Sequence, residues 1–243
     1  MYETLHCLSL RLVRHDDSSS ILTAWSAERG RVAVSIPAGA GREAQRRRAL
    51  ATPLSLVEGV VVSRPGREVL RLRDMRPWVV TSSVRAHPVK AAVALFVADV
   101  LDGALRTATA DEHLSRFLFD AVRLLDGLTR PTAVANFHLW FLRALATFTG
   151  IAPDYGTWRP GRIFDMSEAV FRATPPLHGR YLEPEQAAAV HMIGRLTPAN
   201  MGRVRLNRDT RRRLLEGILE YYALHGALPG GASRSLEVLR TLF

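Results

Sequence analysis

One cysteine, Cys7, and one lysine, Lys90, stand in a chain of 243 residues. A single thiol excludes an internal disulfide and any cysteine-rich zinc site, and it accords with a reducing compartment. No uncharged run reaches about 18 residues, so no membrane span is expected. The opening MYETLHCLSLRLVRHDD has no basic segment followed by a long apolar core, so no signal peptide is expected either. Acidic charge is scarce: 23 Asp and Glu face 33 Lys and Arg, a formal net charge of +10. Every one of those cations except Lys90 is an arginine. Such an excess favours an anionic partner, whether nucleic acid, an anionic membrane face or an acidic peptide.

Catalytic signatures are missing too. There is no Walker loop, no G-x-S-x-G and no H-E-x-x-H. No histidine lies three or four residues from another, so no local metal pair exists. The reading is of a protein that is not an enzyme and carries no cofactor and no metal. A nuclease would need a metal site assembled from dispersed acids and histidines.

What is present changes character once along the chain. LHCLSLRLV (5–13) alternates apolar and polar residues as a strand does. ILTAWSAERGRVAVSIPAG (21–39) reads as strand, turn, strand, with Gly30 supplying the positive φ of the turn. LSLVEGVVV (54–62) and REVLRLRDM (67–75) add two strands around Ser63-Arg64-Pro65-Gly66. Five short strands predict a small closed barrel, with Gly59 as a place for a bulge or kink. From Pro88 the apolar period is helical: helices are predicted over 88–106, 112–126, 131–149, 184–195 and 208–225. A hairpin is predicted over 162–171, and a last helix after the Gly230-Gly231 break. The fold class is thus a two-domain β-then-α chain: a barrel domain over 1–80, then a helical bundle domain over 81–243 with a small β-hairpin insertion.

Two stretches concentrate the positive charge. GREAQRRRAL places Arg42, Arg46, Arg47 and Arg48 on a barrel loop. Arg203, Arg205, Arg208, Arg211, Arg212 and Arg213 crowd the entry to the 208–225 helix, which Asn207 would cap. A weaker third group, Arg64, Arg67, Arg71, Arg73 and Arg76 against Glu68 and Asp74, lies on the fifth strand and its turn. Each group admits two readings, a solvated surface or a phosphate-contacting one, in which guanidinium groups pair bidentately with phosphate oxygens. Cations in the first turn of a helix oppose its dipole, which favours an anionic partner at that end. In the first eighty residues the aromatics are Tyr2, Trp25 and Trp78, so binding there should be mainly electrostatic. NFHLWFLRALATF (136–148) reads either as core or as a groove for a short acidic-apolar peptide, with Phe137, Trp140 and Arg143 as its candidates.

Several pieces in one order resemble the RecO family of bacterial recombination mediators. LHCLSLRLVRHDDSSSILTAWSAERGRVAVSIPAGAG resembles its opening barrel, and LSLVEGVVVSRPGREVLRLRDMRP its fourth and fifth strands. ANFHLWFLRALATFTGIAPD resembles its central helix and Gly-x-x-Pro turn. FDMSEAVF followed by PPLHGRYL resembles its later hairpin, and LLEGILEYYALHG with SRSLEVLRTLF its C-terminal helices. The resemblance implies an N-terminal OB-fold and a helical C-terminal domain. It implies a cytoplasmic, nucleoid-associated protein that binds single- and double-stranded DNA and anneals complementary strands. It implies partnership with RecR and contact with the acidic, Phe-ending tail of single-stranded DNA-binding protein. Together these help load RecA. Two departures stand out. Many members carry four zinc-binding cysteines where this chain has Asp154-Tyr155-Gly156-Thr157-Trp158, and their basic barrel loop mixes lysine with arginine. An adaptor for an acidic protein partner, touching DNA only incidentally, is the rival reading.

Overall fold

In a computed structural model describing residues 2–63, 66, 68–228 and 234–242, the alternating segments form a closed barrel. Its strands are β1 (Tyr2–Arg14), β2 (Ser19–Ser26), β3 (Gly30–Pro37), β4 (Leu56–Val62) and β5 (Val69–Val79). They close in the order β1-β2-β3-β5-β4. All neighbours run antiparallel except β3 and β5, which are parallel, and β1 pairs with both β2 and β4. Because side chains alternate along a strand, Leu5, Leu22, Val34, Val61, Leu70 and Met75 meet inside. Extra residues, one in β1 and two in β5 (Trp78 and Arg73), let the sheet bend shut. The β1–β2 register shifts across Leu10, and the β4–β5 register jumps from Val60↔Asp74 to Val61↔Leu72, leaving Arg73 as the bulged residue. The bulge lies beside the position expected for it, Gly59, which pairs regularly with Met75.

The connection from β3 to β4 is a helix, not the predicted loop. This is α1 (Arg42–Leu50). Glu43 sits in its first turn and pairs with Arg46 (3.4 Å) and Arg47 (3.3 Å), while Arg47 and Arg48 lie at the C-terminal end, where the dipole favours cations. Leu50 and Ala51 plug into the barrel core. With its apolar anchor only at one end, this nine-residue helix has no repeating hydrophobic face to register as a period.

After the barrel come α2 (Ser82–Ala86), α3 (Pro88–Ala104) and α4 (Glu112–Gly127). Contacts divide the chain after Gly127, grouping these helices with the barrel. Residue 80 marks only the switch from strand to helix, because periodicity reports secondary structure and not packing. The ties are specific. Buried Trp25 of β2 donates its Nε1–H to Ser115 Oγ of α4 at 2.9 Å. Arg31 of β3 meets Asp102 of α3 at 2.6 Å, and Trp78 meets Phe119 edge-on at 5.1 Å. Lys90 is also internal: its Nζ donates to Ser83 Oγ and to the Asp126 carbonyl, both at 2.7 Å.

The second unit opens with α5 (Pro131–Phe148), Pro131 occupying the first turn. Then come β6 (Ile163–Asp165), β7 (Val170–Arg172) and β8 (Tyr181–Leu182), a three-stranded sheet ordered β7-β6-β8 rather than a bare hairpin. The added strand is only two residues long, too short to show alternation. The buried Asp165 carboxylate holds this region together, accepting from Arg172 Nη1 at 2.8 Å and from the Ser167 and Glu168 amides, with His178 Nε2 at 3.3 Å. Helices α6 (Pro184–Gly194), α7 (Arg208–Leu224) and α8 (Arg234–Leu242) follow. The Gly230-Gly231 break lies outside the described residues. Tyr222 Oη donates to the Leu142 carbonyl at 2.6 Å and Tyr221 Oη to that of Ile151, fixing α7 against α5 and the turn after it.

Gly30, at φ +72°, turns β2 into β3 against the 108–110 segment. A Cβ there would meet Ala110 N at 2.7 Å and Thr109 C at 2.8 Å, both backbone atoms. Gly30→Ala therefore combines left-handed strain with a clash that no rotamer relieves, and should cost at least about 2 kcal/mol of stability. Urea unfolding should show the lowered midpoint; an unchanged midpoint would contradict this packing.

Candidate nucleic-acid interface

The arginines differ in how far their charge is already spent. Helix α1 carries one carboxylate, Glu43, against four guanidinium groups, and it pairs with those of Arg46 and Arg47. Arg48 donates to the Gly39 carbonyl at 2.7 Å, which leaves its charge in place, and no ion pair engages Arg42 among the described residues. Arg42, Arg46 and Arg48 are exposed and Arg47 half-buried. On β5, Arg71, between buried Leu70 and Leu72, and Arg73, between buried Leu72 and Met75, are exposed and carry no ion pair among the described residues. Arg76 differs, meeting Glu58 at 2.6 Å. Helix α1 packs against β5, so both groups belong to one region of the barrel unit. Arg64 and Arg67 lie outside the described residues.

In the second unit, Arg203 and Arg205 are exposed on the segment leading to α7, and Arg208 and Arg212 are exposed on its first turns. Arg212 faces Glu216 at 3.8 Å. Asn207 caps the helix as expected, its Oδ1 accepting from the Thr210 amide at 2.8 Å. Arg211 departs from the set: it is only 8 % exposed. Its Nε donates to Asn136 Oδ1 at 3.2 Å and its Nη2 to the Leu206 carbonyl at 2.9 Å. Asn136 Nδ2 in turn donates to the carbonyls of Met201 and Val204. This network pins the 201–206 segment that displays Arg203 and Arg205. Position 211 precedes buried Leu215 and Leu219 by four and eight residues, so it shares their inward face. That spacing was visible in the sequence. Burial, with the Arg211 charge nearby, pushes the His138 imidazole down to about 3, so it is neutral at physiological pH.

The groove expected around Phe137 and Trp140 is not at these side chains. Both are buried; Phe137 stacks on Phe141 and tilts against Trp140. An aromatic side chain one turn from another on an apolar face completes a core more readily than it lines an opening. Arg143, three residues beyond Trp140, does reach a cavity of about 380 Å³. Helices α5, α6 and α7 enclose it, with Leu142, Phe164, Leu214, Ile218 and Tyr221 in its apolar lining. Arg143 and Arg213 stand on the α5 and α7 rims, Glu183 and Glu185 on the α6 rim. The Arg143 Nε finds no hydrogen-bond acceptor among the described residues, and the guanidinium lies beside Tyr155, whose hydroxyl burial raises in pKa. The broad apolar face of α7 is split: Leu215 and Leu219 are buried, while Leu214 and Ile218 line the cavity.

Among the described residues no group of three or more His, Cys, Asp or Glu side chains is placed to hold a metal ion, and no helix is long and apolar enough to cross a membrane. The single thiol, Cys7, is buried and pushed up to about 12, which leaves it protonated.

Arg211→Ala should lower stability by about 2–4 kcal/mol, because Asn136 Oδ1 and the Leu206 carbonyl lose a buried charged donor. Arg212→Ala, at an exposed pair, should stay within about 0.5 kcal/mol of the parent. Urea titration of the two variants decides the matter: equal midpoints would return Arg211 to the surface set.

Residues 85–234 match the family model described as recombination protein O C terminal. Over 235 residues the chain is 32 % identical to the DNA repair protein RecO of Phocaeicola vulgatus, covering 96 % of each. Identity to the DNA repair protein RecO of Bacteroides fragilis is 32 % over 236 residues, again 96 % of each. To that of Porphyromonas gingivalis it is 31 % over 233 residues, 94 % of each.

Proposed function

The chain belongs to the RecO family of DNA repair proteins, and from that membership we propose that it is a non-catalytic recombination mediator that holds and anneals DNA strands by electrostatic neutralisation. The observation that carries this reading is α1. A helix with four arginines and one acid caps the end of a closed barrel, and Arg71 and Arg73, without an ion pair among the described residues, lie on the strand it packs against. Two complementary strands repel one another as polyanions. Guanidinium groups that contact phosphates release condensed counterions, and the entropy of that release offsets the repulsion while bases find partners. No bond is made or broken, so the reading needs no activated nucleophile, general base or metal.

The arginines of the second unit, Arg203, Arg205, Arg208 and Arg212, serve as a second phosphate-contacting group in this proposal, with Arg211 as their internal support. RecR and, indirectly, RecA are the proposed protein partners, as the family resemblance implies. For the acidic, Phe-ending tail of single-stranded DNA-binding protein, the α5–α6–α7 cavity replaces the Phe137–Trp140 groove. Its apolar lining suits an aromatic side chain, and Arg143, with an Nε in need of an acceptor, suits a carboxylate.

Five phosphate contacts to a single strand would give a log–log salt slope of about −3.5. Replacing Arg46, Arg47 and Arg48 together by Ala should weaken binding and flatten that slope by about 2. Anisotropy titrations across a salt series measure both; an unaltered slope removes α1 from the interface. Complementary labelled strands mixed with the protein and a chelator should anneal. Failure to anneal favours the adaptor reading, and cleavage that returns with magnesium favours a nuclease. Arg143→Ala should abolish capture of a synthetic acidic peptide ending in Phe without altering DNA affinity, as calorimetry would show.

A further inference from the structure

Tyr2 is an exposed aromatic on the barrel that electrostatic neutralisation does not use. The other two aromatics of the first eighty residues are occupied. Trp25 is wholly buried. Trp78, 36 % exposed, already meets His6 at 4.7 Å, Phe119 edge-on at 5.1 Å and the Arg123 guanidinium at 5.4 Å from its centroid. Tyr2 is 67 % exposed. It lies opposite Val62 of β4, and Val62 lies opposite Arg71 of β5, so the three form one row across the outer face of the sheet. Arg73 is a bulged residue of the same strand. A bulge re-aims its side chain, and the Arg73 guanidinium lies over one face of the Tyr2 ring, 5.9 Å from its centroid, so a base would stack on the opposite face. Val60 and Val62, both half-buried, supply an apolar floor between the ring and the two cations.

We propose that Tyr2 is a stacking platform for an unpaired base, with Arg71 and Arg73 holding the adjoining phosphates, so that this patch recognises single strands in preference to duplex. The inference rests on the strand-binding role proposed above and adds what distinguishes the two forms of DNA. A polynucleotide is the occupant because it offers both chemistries the patch needs, a π-face and anionic oxygens, within one nucleotide. An acidic protein segment would satisfy the arginines but leave the ring and valines without a matched planar group. In a duplex each base has both faces covered by its neighbours, so only an unpaired strand can lay one on the ring. Arg71 and Arg73, which have no ion pair among the described residues, retain a duplex by charge alone. The platform therefore loses its hold as a base finds its complement, which releases the paired product and keeps the searching strand.

The test compares a mixed-sequence single-stranded 20-mer with its duplex, on the full chain, by anisotropy at several salt concentrations. Tyr2→Ala should weaken single-strand binding on the order of tenfold while leaving the duplex affinity and both salt slopes unchanged, because a stack is lost and no charge is. Tyr2→Trp should retain single-strand affinity. Circular dichroism confirms that the variants fold, as the exposure of Tyr2 leads one to expect. Arg73→Ala should weaken both forms and flatten the single-strand slope by about 0.7. If Tyr2→Ala binds the single strand as the parent does, the patch belongs to a protein partner and the inference is overturned alone. Equal losses for single strand and duplex overturn it as well. If the parent chain binds no single strand at all, the proposed function falls and this inference with it.

Discussion

A sheet that closes on itself has one inside and no edges, and much of the barrel unit follows from that constraint. Closure requires β1 to pair on both sides and β3 to meet β5 in parallel. Once closed, each strand's alternation is no longer a preference but a partition. On β5, Leu70 and Leu72 go in, and Arg71 goes out. The open end is sealed by Leu50 and Ala51 at the base of α1, which leaves the arginines of that helix outside the core they help to cover. Concentrated positive charge is thus a consequence of a well-filled interior as much as of any partner. Had Glu43 a second and third acidic neighbour, the same helix would be electrostatically quiet.

The second unit solves a different problem, that of displaying cations from an irregular segment. A loop carrying Arg203 and Arg205 repels itself and has no ladder of hydrogen bonds to hold it. Asn136 and Arg211 supply the missing order from beneath, satisfying the carbonyls of Met201, Val204 and Leu206. One arginine is therefore withdrawn from the surface to position others on it. A similar economy appears at Asp165, where one buried carboxylate organises Arg172, His178 and two backbone amides. It does so in a chain whose single cysteine lies in the barrel, so the small sheet is held by charge and hydrogen bonds rather than by thiolate–metal bonds.

Much of the candidate interface is legible in the sequence. The arginine clusters are a matter of counting, and their neutralisation by too few acids follows from the same count. What was not legible is which arginines keep their charge available. Arg76 and Arg71 look equivalent on paper, yet Glu58 pairs with the first and not the second. That distinction lies in cross-strand register, set by a bulge one residue long. The cavity was invisible for a related reason. Leu142, Phe164 and Ile218 come from distant parts of the chain, and each alone has the look of ordinary core.

Sequence alone determined the fold class, most strand and helix segments to within a few residues, the net positive charge and the family. Each of these depends on local period or on composition, which the chain carries in one dimension. Only the tertiary structure decided that 42–50 is a helix, that α2–α4 join the barrel, that Arg211 points inward and that Phe137 and Trp140 are core. Those outcomes depend on which distant side chain occupies the neighbouring space. A helix with one apolar anchor, or an arginine on an inward face, takes its place from the partner that solvates or buries it, and that partner lies tens of residues away.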